Sequence, residues 1–133
     1  MRNAIRLFLA SAIVAVSVPA SAFEPIEGLW RTEAGTNALV EKCGGSYCFT
    51  LCTGPYAGML IGRVTGSGNN YTGTLTDPAD NRTYAGFATV KGSLVELQGC
   101  AFMIFCQTQL WRNLIDSGAE PPPSCDKEPF VGA

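Results

Sequence analysis

The stretch Gly99-Cys100-Ala101-Phe102-Met103-Ile104-Phe105-Cys106-Gln107-Thr108-Gln109-Leu110-Trp111-Arg112 brackets an apolar loop with two cysteines and follows it with a strand-like run. Working outward from it, short runs rich in Val, Leu, Thr, Tyr and Phe alternate with Gly, Asn, Asp and Pro clusters from Gly28 onward. That spacing is the signature of an all-β domain. No apolar stripe of helical period has useful length. The expected strands are Leu29–Glu33, Ala38–Cys43, Tyr47–Thr53, Gly58–Thr65, Tyr71–Thr76, Thr83–Val90, Leu94–Gly99 and Gln107–Asn113. Eight short strands in sequence predict an eight-stranded up-and-down antiparallel barrel, which removes the open edges of a sheet.

The turns agree with that count. Cys43-Gly44-Gly45-Ser46-Tyr47 and Lys91-Gly92-Ser93 carry the glycines that tight hairpins need, and Gly66-Ser67-Gly68-Asn69-Asn70 reads as a longer polar turn. In Asp77-Pro78-Ala79-Asp80-Asn81, Asp and Pro initiate the turn and Asn81 is suited to a left-handed conformation. The same residues lack the spacing of an EF-hand calcium loop, so no metal is expected there.

The N-terminus reads as a leader. Arg2 and Arg6 precede an apolar run from Leu7 to Val18 that is too short to span a bilayer, and Ala20-Ser21-Ala22 is a small-residue cleavage site. Residues 1–22 are therefore expected to be a signal peptide cut after Ala22, and the mature chain to be periplasmic or secreted, with no integral membrane segment. The β-barrel is expected over residues 23–115. Beyond it, 116–133 is polar and proline-rich, with Pro121-Pro122-Pro123 favouring extended geometry and Cys125 implying that the tail is tied back.

Composition excludes several roles. Without Arg2 and Arg6 the nine basic residues fall to seven against eleven acidic ones, so no basic stripe remains for nucleic acid. The chain has no histidine, which removes the commonest general base and metal ligand. Asp77 and Asp80, adjacent in a turn, are better placed to set its geometry than to share a proton. A non-enzymatic protein without a cofactor is the expectation. All six cysteines, Cys43, Cys48, Cys52, Cys100, Cys106 and Cys125, follow the leader, and an even count in an exported chain reads as disulfides. Six cysteines allow 15 pairings.

Taken together, Gly28-Leu29-Trp30-Arg31-Thr32, Leu75-Thr76-Asp77-Pro78, Thr83-Tyr84-Ala85-Gly86, Gly99-Cys100, Cys106-Gln107-Thr108-Gln109 and Leu110-Trp111-Arg112 resemble the DUF2147 family of small exported bacterial proteins. The resemblance implies a lipocalin-like barrel. By analogy with calycin barrels it also implies that Arg112, at the end of the last strand, covers Trp30 of the first, a cation over an aromatic face. The chain departs from the family pattern at Phe49 and Asn81, where glycine is expected, and at Tyr71, where tryptophan is expected. Cys52 and Cys125 are additional to the family's four cysteines. The pairing implied is therefore Cys43–Cys48, Cys100–Cys106 and Cys52–Cys125.

Two roles follow. A barrel of this size either fills itself with side chains or holds one small apolar or amphipathic ligand, and Met59, Ile61, Tyr71, Leu75, Phe87, Leu97 and Trp111 are candidate lining. The sequence leaves open whether Phe87 or Tyr84 faces inward, because a one-residue shift exchanges them. The alternative is an envelope protein with a filled interior that acts through its surface on a protein partner. Phe102, Met103, Ile104 and Phe105 serve either role: exposed, they mark a contact site; buried, they plug the barrel.

Overall fold

Alternation along β5 (Asn70–Asp77) and β6 (Arg82–Lys91) shows how the wall is made. Tyr71 pairs with Ala88 and both are buried, so Tyr84, Gly86, Ala88 and Val90 face the interior while Phe87 lies on the outer face. The open choice between Phe87 and Tyr84 is thus decided for Tyr84. The other strands are β1 (Gly28–Arg31), β2 (Asn37–Cys43), β3 (Ser46–Leu51), β4 (Leu60–Ser67), β7 (Leu94–Ala101) and β8 (Phe105–Asp116). Each pairs antiparallel with the next, and β1 pairs with β8 to close an eight-stranded up-and-down barrel, as expected. This computed structural model describes residues 23–102, 104–119 and 121–126; the predicted leader, Met103, Glu120 and 127–133 lie outside them.

Strand ends differ modestly from the sequence reading. The expected long turn at Gly66–Asn70 shortens to Gly68-Asn69, and β8 starts at Phe105 and continues to Asp116. Hydrogen bonding across β7 and β8 extends both strands into what reads as loop. An extra residue in β4 opposite Phe49/Thr50 leaves Ile61 unpaired and turned into the barrel.

The two ends of the barrel are built differently. At one end lie the tight turns Gly44-Gly45, Gly68-Asn69 and Gly92-Ser93. Here the interior is solid: Trp30, Val40, Tyr47, Val64, Tyr71 and Val95 pack together, with Tyr47 and Tyr71 edge to face at 5.6 Å. The segment preceding β1 stoppers this end. Ile26 is fully buried, its carbonyl accepts the Trp30 indole N–H at 2.9 Å, and the Glu24 carboxylate accepts the Gly68 amide at 2.9 Å.

The expected Trp30–Arg112 stack does not form. Trp30 is opposite Asn113, whereas Arg112 is opposite Arg31 and exposed on the outer face. An extra residue in β8 beside Leu29/Trp30 sets this register, and strand alternation then puts the two side chains on opposite sides of the wall. Trp30 is covered by Ile26 and the core instead.

Three disulfides form, Cys43–Cys48, Cys52–Cys125 and Cys100–Cys106, in the pairing the resemblance implies. The long one brings the tail back from the solid end, where β8 stops, to Cys52 just after β3. Moving from β8 to Cys52 crosses β1 and β2, whose Leu29 and Leu39 are outward-facing partners yet only 0% and 8% exposed. Cys52–Cys125 ties the tail to the body of a small domain as a covalent strap.

The stopper also produces a pH dependence. Burial, reinforced by the neighbouring Glu24 charge, raises the Tyr71 phenol well above the ordinary tyrosine value, and burial with Glu24 and Glu27 raises Tyr47. Below about pH 10 both phenols are protonated folded or unfolded, so they make stability neither rise nor fall. Above it the unfolded chain releases protons that the folded one keeps, so stability falls as the pH rises. Urea midpoints measured between pH 9 and 11 should therefore drop, and Tyr71→Phe should flatten the slope. An unchanged slope in the variant would contradict the assignment.

Candidate functional site

The opposite end is bordered by the longer loops 32–36, 52–59 and 78–81 and by Phe102 and Ile104, and it is not filled. A cavity of about 870 Å³ opens there. Leu51, Ile61, Leu75, Leu97 and Trp111 form its apolar floor, where Trp111 leans on Phe49 at 5.7 Å and so separates the cavity from the solid half. Above the floor, Gln107 and Gln109 of β8, Tyr84 of β6 and the hydroxyls of Thr32, Thr36 and Thr53 make a polar wall. Asp77, Pro78, Asp80, Tyr56, Ile104 and Phe105 lie at the rim.

One glycine of a three-residue row lines the empty space. Gly73, Gly86 and Gly99 are cross-strand partners in one row over β5, β6 and β7. A Cβ on Gly86 would stand 2.5 Å from Leu75, so that glycine lets the Leu75 side chain lie flat against the wall. At Gly99 a Cβ would meet nothing nearer than Tyr84 at 3.8 Å. There the missing side chain leaves room for a ligand.

The Phe102–Phe105 tip is exposed rather than plugged into the barrel. Phe102 is 85%, Ile104 74% and Phe105 70% accessible, while Met103 lies outside the described residues. Cys100 and Cys106 face each other across the hairpin and clamp its base. Phe102 has φ 55°, a left-handed conformation that costs a non-glycine residue about 1 to 2 kcal/mol. That conformation is held at an exposed aromatic side chain.

The other sequence candidates separate cleanly. Trp111 reaches the cavity floor; Tyr71 does not line the cavity, because its strand position is at the solid end, where its hydroxyl donates to the Gly68 carbonyl at 2.7 Å. Asp77 and Asp80 each accept a backbone amide within their own turn, from Ala79 and Arg82, and Asn81 takes φ 58° as expected. No cluster suited to a metal occurs among the described residues. Sequence reasoning missed the polar wall, although the period of two that unites Gln107, Gln109 and Trp111 is visible in the chain. Among the described residues no helix is long and apolar enough to cross a membrane.

Residues 50–113, from the end of β3 into β8, match the family model DUF2147, described as an uncharacterized protein conserved in bacteria. This bears out the resemblance for those residues; Gly28–Thr32 lies outside the match. No curated protein and no solved structure matches the chain.

Proposed function

Starting from a small disulfide-stapled barrel whose residues 50–113 carry the DUF2147 match, we propose that the protein is a non-enzymatic binder that holds one small apolar or amphipathic molecule in the open end. The observation that carries this reading is the cavity of about 870 Å³, within the size range of small-molecule sites, which are typically about 300 to 1,000 Å³. An apolar floor below a few polar groups is the usual arrangement of such sites. The surface-acting alternative, with a filled interior, has less support, because side chains fill only one half of the barrel. The exposed Phe102, Ile104 and Phe105 fit the carrier as an apolar lip over which a ligand enters.

An exported setting completes the reading. Three disulfides are compatible with an oxidising compartment such as the periplasm or the exterior. The proposal treats residues 1–22 as the signal that directs the chain there. Catalysis has little support: Asp77 and Asp80 serve their own turn.

Gly99→Leu tests the carrier directly. Its side chain would enter the cavity from a position with space for a Cβ and without a positive φ, so the fold should survive. Titration calorimetry with dodecanol should show saturable binding to the native protein and at least about tenfold weaker binding to the variant, a loss near 1.4 kcal/mol. Equal binding by both proteins would place the ligand elsewhere.

A further inference from the structure

We infer that the cavity selects by charge, taking a single apolar chain whose polar end is uncharged or cationic and rejecting one that ends in a carboxylate. This rests on the carrier reading and adds the ligand class. The charged residues lining the cavity are Asp77 and Asp80, and no lysine or arginine is among them. Arg82, on the same rim turn, is outside this lining, and its Nε lies 4.0 Å from the Asp80 Oδ2 with both side chains exposed. A carboxylate leaving water for this mouth would find like charge and no counter-charge, and such burial is costly unless the ion is paired.

The uncharged groups supply donors for the polar end. Trp111 Nε1 donates to the Gln109 Oε1 at 3.0 Å, which uses one lone pair of the amide oxygen and leaves the NH₂ group to donate to a ligand. It stands above the apolar floor, where a chain entering end first would bring an alcohol, ether or ester oxygen. The Thr32 and Thr36 hydroxyls bond each other and Thr53 accepts the Asn37 amide, which leaves one proton of that pair and the Thr53 proton for such oxygens. Any acceptor oxygen, a carboxylate's included, can use these donors, so the selection against an anion comes from Asp77 and Asp80 and from the lack of a cation in the lining, while a cation gains from the aspartates.

Calorimetric titration with dodecanol, dodecyltrimethylammonium and dodecanoate, each below its aggregation concentration at pH 7 and low salt, reads the selectivity. Dodecanoate should bind about tenfold more weakly than dodecanol, as expected for one unscreened like-charge contact at the rim. In the double variant Asp77→Asn, Asp80→Asn, whose amide oxygens can still accept the two turn amides, that gap should close while dodecanol stays within about twofold. Equal binding of all three probes, or a gap that persists in the double variant, overturns the charge selectivity and leaves the carrier intact. Failure of all three to bind overturns the carrier reading, and the selectivity with it.

Discussion

Replacing Trp30 with alanine should destabilise the protein by about 3 to 5 kcal/mol, the range for truncating a large buried aromatic. The ring is almost fully buried at the solid end, and its indole N–H satisfies the Ile26 carbonyl. Truncation opens a cavity and also leaves that carbonyl without its partner, a second cost of about 1 kcal/mol or more. Domains of this size are stable by only about 5 to 15 kcal/mol, so the variant should show a large fall in its urea midpoint. Trp30→Phe should retain most of the packing and lose the hydrogen bond. A loss below about 1 kcal/mol for the alanine variant would mean that the stopper is not part of the cooperative core.

Removing the long disulfide with Cys52→Ser and Cys125→Ser together should cost about 4 kcal/mol on a chain-entropy estimate for its sequence separation of 73. The same estimate gives about 2 kcal/mol for Cys43–Cys48, whose separation is 5. The double variant should therefore lose thermal stability. Ligand binding is expected to persist wherever the variant is folded, since the floor of the cavity belongs to other strands. A variant as stable as the native protein would show that the strap is dispensable.

The barrel was readable because its signals are local. Each strand is a short run with β-forming residues, each turn has its own glycine, asparagine or proline chemistry, and consecutive hairpins pair neighbours in sequence. The cysteine pairing was readable only through the family resemblance, since spacing alone permits many solutions. Arg112 shows where such transfer fails. A single extra residue in β8 sets the register against β1, and no feature of Gln107–Asn113 announces it.

The functional site was legible in pieces. Trp111 and the Phe102–Phe105 tip stood out by composition, but whether the tip is lid, plug or lip depends on what surrounds it. Tyr71 and Trp111 are both interior aromatics in the chain pattern. They differ only in height along the barrel: Tyr71 sits beside the Glu24–Glu27 stopper, whereas Trp111 faces the opening.

By itself, then, the sequence determined the all-β class, the number and order of strands and the covalent stapling of a small domain. Those follow from short-range preferences and from cysteine chemistry. Only the tertiary structure decided which end is solid, which face of β6 looks inward, that Arg112 lies outside, and that a cavity remains beneath an exposed apolar tip. Filling depends on how side chains from distant strands meet at one height, and on Gly99, whose missing side chain becomes cavity space only after the wall has closed.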